Sequence, residues 1–328
     1  MNSQWGKKFK ISVFGESHGD AIGVVIGGLP AGFEPDFTEV RRELQRRAPG
    51  QSDNATPRRE ADEFEILSGM LDGRTTGAPL MALCRNTDVR SRDYERHLPR
   101  PGHADLAAAI KYGGFNDYRG GGHFSGRLTA PVVFAGALAR QLLRNAHGIE
   151  ISADIIEIRG ERSPDKFDDI ISAARMAGDS VGGIIECRVR GAPAGWGEPI
   201  FHSVESSVSA LLFSIPAVKG VEFGDGFALA RRLGSEVSDG ITVDNNGEIA
   251  FLANHNGGIN GGITNGAELV FRAAIKPTPT ISIPQKTVDL RTNEPVTHSF
   301  TGRHDPCIVP RAVPIVEAVA AIALAQYL

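Results

Sequence analysis

The run Gly120-Gly121-Gly122 restricts this chain more than any other short stretch. Three successive glycines have no side chain to pack and lose much backbone freedom on ordering. They pay for themselves where the backbone must pass close to something. The flanking residues indicate what that is. Upstream stand Arg100-Pro101-Gly102-His103-Ala104-Asp105, and the run itself sits between Tyr118-Arg119 and His123-Phe124-Ser125-Gly126-Arg127. Three arginines and two histidines near open backbone amides suit a ligand carrying phosphate or carboxylate. The segment from Thr129 to about Asn145 reads as a helix, with Thr129 as its cap and Pro131 in its first turn. It is rich in Ala and Leu on most of its surface, which predicts a buried central helix. Its positive dipole end would lie beside the glycines, a second local reason to expect an anion there.

The rest of the chain alternates strands and helices. Phe9, Ile11 and Val13 alternate on one strand, the polar loop Gly15-Glu16-Ser17-His18-Gly19 interrupts, and Ile22–Ile26 resumes as an apolar strand. Pro35–Gln45 reads as a helix capped by Asp36 or Thr38. Short strands are expected at Glu65–Ser68 and Pro79–Cys84, and Asn86–Leu98 reads as charged, irregular and exposed. Asp105–Tyr112 is predicted helical. After Gly148 come a strand at Ile149–Ile158, a Ser163-Pro164 cap before a helix at Phe167–Met176, and a strand at Gly183–Arg190. A helix at Ser203–Phe213 and a strand at Ala217–Phe223 follow. Asp244-Asn245-Asn246-Gly247 signals a hairpin, Asn254–Gly266 a loop, and Leu269–Ile275 another strand. The last helix is expected from about Pro314 to Tyr327, after the polar segment Thr301–Pro306. The pattern predicts an α+β fold with helices packed on sheets, as one domain whose two halves meet near residue 148.

Composition narrows the function. A net charge of -4 disfavours a general nucleic-acid binder. No run of about 18 uncharged apolar residues is present, so no membrane span is expected. The N-terminus shows no secretory pattern, and Cys84, Cys187 and Cys307 are too scattered for a disulfide framework. A cytoplasmic location follows as the expectation. The nine histidines form no His-x-x-x-His pair, and there is no Cys-x-x-Cys, so no metal site is expected. The glycine run lacks the context of a dinucleotide fingerprint. His18 and His103 are the acid–base candidates, each beside glycine with a carboxylate close in sequence, Glu16 and Asp105. His123 suits a ligand contact. Lys276, ending an apolar strand before Pro277-Thr278-Pro279-Thr280, suits a phosphate or ribityl clamp, and Arg303-His304-Asp305 has similar character. Arg46 and Arg47 with Arg58 or Arg59 make a second cationic cluster. The residues thus argue for an enzyme acting on phosphorylated anions with two histidines for proton transfer.

At this point a resemblance is evident. Gly15–Gly19, Arg100–Asp105, Tyr118–Gly122, Ser125–Arg127, Val218–Gly224, Gly257-Gly258-Ile259, Lys276–Thr278 and Arg303–Pro306 follow one another as in the chorismate synthase family. The resemblance implies a β–α–β sandwich with central helices flanked by largely antiparallel sheets, assembled as a homotetramer. It implies elimination of phosphate from 5-enolpyruvylshikimate 3-phosphate, a phosphorylated dicarboxylate, to give chorismate. That 1,4-anti elimination uses reduced FMN without net redox change, and the family is also associated with NADP. No reductase module is seen, so an external source of reduced flavin is expected. By the same resemblance His18 protonates the departing phosphate, His103 lies near the flavin pyrimidine edge and Asp305 near flavin N5. Ser17, Arg47 and Arg119 would bind substrate. His123, Phe124, Ser125, Arg127, Pro216, Ala217, Gly261, Lys276, Pro277, Thr278, Pro279, Thr280 and Arg303 would bind FMN. The chain departs from the family's common Gly-Gly-Gly-Arg-Ser-Ser-Ala-Arg loop at His123, Phe124 and Gly126, and Asp53 stands where many members have arginine.

Overall fold

The computed structural model describes residues 3–50, 62–87, 94–300 and 305–328. Asp53, Arg58, Arg59, Arg303 and His304 lie outside the described residues.

Two antiparallel sheets enclose a layer of helices. The first orders its strands Gln4–Trp5, Lys10–Gly15, Ala21–Gly27, Leu80–Arg85 and Glu65–Ser68 across the sheet. Ile22, Val24 and Ile26 alternate onto one face and are fully buried there, with Leu80 and Ala82 beside them. The second sheet runs Val218–Phe223, Leu269–Ile275, Gly183–Arg190 and Glu150–Ile158. Its inner face is Ile151, Ile185, Cys187, Val189, Phe271 and Ala273.

Helix α1 (Phe37–Arg47) is capped by Asp36, whose carboxylate accepts from the amides of Thr38 and Glu39. The short helix α2 is Asp105–Lys111. Helix α3 (Thr129–His147) is buried over most of its length, as its composition predicted, and Gly148 ends it in the left-handed conformation. Helices α4 (Phe167–Met176) and α5 (Val204–Leu212) follow, and α5 packs on α6 and on strand Val218–Phe223. Helix α6 (Val309–Leu324) runs through the centre against α1, α3, α5 and the second sheet. The α3–α6 crossing is close because residue 136 is glycine. A Cβ there would lie 2.3 Å from Ala318 Cβ.

Several local expectations need correction. The last helix begins at Val309, five residues before Pro314. Pro314 sits in the second turn, where its missing N–H removes a single bond to the first turn. Thr129 does not cap α3. A 3-10 turn, Gly126–Leu128, precedes the helix, and Ser125 caps that turn by accepting from the Arg127 amide. The Ser163 hydroxyl accepts no cap bond, although Pro164 does begin a 3-10 turn. Part of the stretch from Asn86 to Leu98 lies outside the described residues, and its described ends are not simply exposed. Leu98 is half-buried, and the Asn86 side chain holds two loop carbonyls. Asn254–Gly266 contains a two-stranded ribbon, Ile259–Asn260 with Ile263–Thr264.

Candidate active site

The loop after strand Lys10–Gly15 presents Ser17 and His18, both buried. Asn86 fixes it by donating to the carbonyls of Glu16 (2.9 Å) and Gly19 (2.8 Å). The Ser17 amide donates to the Gly122 carbonyl at 3.1 Å, which brings the triple glycine against this loop. All three glycines have positive φ. A Cβ at residue 120 would sit 2.6 Å from His18 Nε2 and 2.9 Å from Ser17 Oγ. The His18 ring meets Tyr94 edge-on at 5.3 Å. Ser17 Oγ is buried and has no hydrogen-bond partner among the described residues. Nearby, Arg119 holds Asp117 with paired bonds of 2.8 Å from Nε and Nη2. Burial pushes the Asp117 carboxyl up, but bonds from Arg119 outweigh it and hold the group below the usual carboxylate range, with His18 adding to the effect.

Tyr94 links this loop to a second group. The Arg100 guanidinium lies 5.0 Å from the Tyr94 ring and grips Asp105 through bonds of 2.8 and 2.9 Å. The His103 amide donates to the Arg100 carbonyl, and the His103 ring bonds the buried Thr280 hydroxyl. Lys276 Nζ donates to the Gly102 carbonyl at 2.6 Å, and its backbone amide reaches the Ala217 carbonyl at 3.0 Å. Partial burial, then Lys219, lowers the Lys276 pKa. Thr278 Oγ1 is buried without a described partner. A cavity of about 270 Å³ opens between Tyr94, Arg96, Arg100, Asp105, Tyr118 and Arg291. Another of about 380 Å³ lies between Glu16, Arg96, Asp117 and Arg119.

A third group is largely internal, with Arg47, Asp62, Arg127 and Asp305 buried. Arg47, at the end of α1, bonds Asp62 through Nε (3.1 Å) and Nη2 (2.5 Å). Arg127 pairs with the other oxygen of Asp62 and reaches Asn86 Oδ1 at 3.2 Å. Arg311 joins from α6, donating Nε to the Arg47 carbonyl at 3.0 Å and pairing with Asp305. Burial, together with the positive charges of Arg311 and Arg127, outweighs Asp62 and lowers the Arg47 pKa to about 10. Burial pushes the Asp62 carboxyl up, yet Arg47 and Arg127 hold it below its ordinary value. Among the described residues three guanidiniums thus meet two carboxylates, a balance that suits an anionic ligand. Asn86 ties this group to the His18 loop. Ser180 ties it to the Lys276–Thr280 segment, because its hydroxyl donates to the Thr278 carbonyl at 2.7 Å while the adjacent Val181 amide donates to the Pro306 carbonyl at 2.8 Å.

The chorismate synthase family model matches residues 9–328. The chain belongs to the chorismate synthase family. The chorismate synthase of Chitinophaga pinensis is 50% identical over 330 residues, covering 100% of this chain and 96% of that one. That of Thermococcus kodakarensis is 47% identical, covering 98% of this chain and 96% of its own. A crystal structure of chorismate synthase superposes with a TM-score of 0.76 at 28% identity, covering 98% of this chain and 92% of that one. The chain is accordingly an enzyme, and its helices between antiparallel sheets match the architecture of chorismate synthases.

Against that family background, the expected site residues divide in three. Ser17, His18, Arg119, His103, Lys276, Pro277, Thr278, Pro279, Thr280 and Ala217 fall in the first two linked groups, with Pro216 exposed beside Ala217. Arg47, Arg127 and Asp305 form the internal network, reached through Ser125. Phe124 and Gly261 stand apart, and His123 braces the start of the His18 loop. His123 Nδ1 lies 2.8 Å from the Gly15 carbonyl, which can only accept, so Nδ1 carries a proton. Its Nε2 lies 2.8 Å from Ser3 Oγ, so protein groups engage both ring nitrogens. Phe124 is exposed, with its ring 6.3 Å from Tyr112. Gly261 turns the ribbon rooted at the Leu269 end of its strand, while Lys276 follows the Ile275 end, so that strand spans about 20 Å between them. Sequence reasoning missed Asp62, Tyr94, Asp117 and Arg311. Asp62 carries one signal visible only in the fold, a non-glycine residue at φ 50.

Proposed function

We propose that this chain eliminates phosphate from 5-enolpyruvylshikimate 3-phosphate to give chorismate, with reduced FMN bound. The observation that carries the reading is that both histidines stand on one short chain of contacts, His18 to Tyr94 to Arg100 to His103. Proton transfer needs such groups to converge on one ligand.

The residues present fit FMN. Lys276 bonds a neutral carbonyl at its ammonium, the Thr278 hydroxyl lacks a partner among the described residues, and Pro277 and Pro279 stiffen the segment between. Lys276 and Thr278 would hold the phosphate and ribityl oxygens, and Ala217 with Pro216 would line the same side. When bound and reduced, the flavin supplies electron density to the reacting ring and accepts the hydrogen that the ring loses. Everything else falls to the protein. His18, as imidazolium, donates a proton to the departing phosphate oxygen as the C–O bond breaks. Arg119 and Ser17 Oγ orient that phosphate, and Arg47 offsets the substrate carboxylates. His103 and Asp305 hold the proton inventory on the opposite side. One C–O and one C–H bond break, a double bond forms, and no net electrons are exchanged.

A homotetramer supplied with reduced flavin from outside, ultimately linked to NADP, completes the reading. Gly261 and Lys276 can serve one flavin if a neighbouring copy brings one of them. Cys84, Cys187 and Cys307 are buried and form no disulfide, which fits a cytoplasmic setting. No helix among the described residues is long and apolar enough to cross a membrane. His18→Ala and His103→Ala are each expected to lower kcat by about 100-fold or more while FMN binding persists. Unchanged kcat in either variant removes that histidine from the chemistry.

A further inference from the structure

The Arg311 side chain touches two separate parts of the proposed site. Its Nε donates to the carbonyl of Arg47, the last residue of α1, and its Nη1 pairs with Asp305 Oδ2. The main chain of Arg311 lies in the first turn of α6, a helix buried over nearly its whole length. Its guanidinium is planar, so the directions of its N–H groups are fixed relative to each other. A lysine could satisfy either acceptor but could not impose that geometry.

We propose that Arg311 is a positioning residue that fixes Asp305 relative to Arg47. The simpler account is a helix cap, because Arg47 would otherwise present an unpaired C-terminal carbonyl. That account leaves the second contact unexplained. Asp305 is buried, and an ion pair beside it orients one carboxylate oxygen as well as offsetting its desolvation. The Arg47 guanidinium is fixed in turn by Asp62 and by Thr129. Arg311 therefore joins the backbone of the residue whose guanidinium is expected to face substrate to the carboxylate expected to face flavin, through one rigid fork. Misplacement of a reacting group by about 1 Å can cost about 100-fold in rate. The inference rests on the functional reading above, but its structural half stands without it.

The test uses the full chain with Arg311→Met, Arg311→Lys and Asp305→Asn, singly and combined. Hydrogen exchange of the ligand-free protein is read first. In R311M, amides of residues 44–50 and 305–309 should both exchange at least about tenfold faster, with the rest of α6 unchanged, and R311K should lie between. Turnover is read second. R311M should lower kcat about 100-fold in the wild-type background and less than about threefold beside D305N, because Arg311 acts through Asp305. A pure helix cap predicts faster exchange at 44–50 alone and the same kcat factor in both backgrounds, and either result overturns the proposal. Should R311M fail to fold, the same two comparisons with R311K decide it. A wild-type chain without turnover would remove the functional reading, and the exchange pattern would still decide whether Arg311 joins the two segments.

Discussion

His18 occupies a space that exists because residue 120 has no side chain. A Cβ would clash with the imidazole and with Ser17, and φ at this residue is 60°. The triple glycine was legible as a place where Cβ atoms are forbidden. What it approaches was not, because Gly120 meets a histidine about a hundred residues away and Gly121 meets Arg100. Asp62 was less legible still. It is one acid in a polar stretch, and its need appears only once Arg47 and Arg127 are known to be buried. Its carboxyl titrates below the unfolded value, so the unfolded chain takes up its proton first as pH falls. The stability it contributes is present above about pH 4 and is lost as pH drops through the folded value. Asp62→Asn should therefore cost about 3–5 kcal/mol near neutrality and flatten the loss of stability below pH 4, measured by urea unfolding across pH. An unflattened acid limb would show that the Asp62 pairing does not contribute to it.

Among the elements, α3 and α6 decide how the two sheets meet. Both are apolar nearly all round, a composition that marked α3 as central before any contact was known. The start of α6 was misplaced because Pro314 looks like a first-turn residue, whereas Pro310 holds that place. Caps were legible where a carboxylate stood before a clear helix, as at Asp36, and illegible where a 3-10 turn intervened, as at Ser125. The α3–α6 crossing depends on contact between Gly136 and Ala318. Gly136→Val should destabilise the fold by about 1–3 kcal/mol through overpacking, read as a lower urea midpoint at unchanged slope. A midpoint within error of wild type would mean that the helices slide apart without cost.

At the scale of the molecule, ordered motifs identified a family, while the charge network that joins them emerged only from the fold. The first sheet brings the His18 loop, the second brings the Lys276 segment, and α1, α6 and the segment before α6 bring Arg47, Arg311 and Asp305 between them. Gly261 lies beyond the Leu269 end of strand Leu269–Ile275 and Lys276 at its other end, so the assembly should matter. Mixing Lys276→Met and Gly261→Asn subunits should restore FMN binding beyond the level of either variant alone. A Cβ at Gly261 meets nothing within its own chain, and asparagine accepts φ 60°, so the protomer itself should tolerate that change. No gain on mixing would place both residues' roles within one copy. The most direct measurement is anaerobic turnover of 5-enolpyruvylshikimate 3-phosphate with photoreduced FMN, following phosphate and chorismate together. Equal amounts of both products with reduced flavin, and neither with oxidised flavin, are the predicted result. Tight FMN binding without either product would contradict the assignment of this site to phosphate elimination.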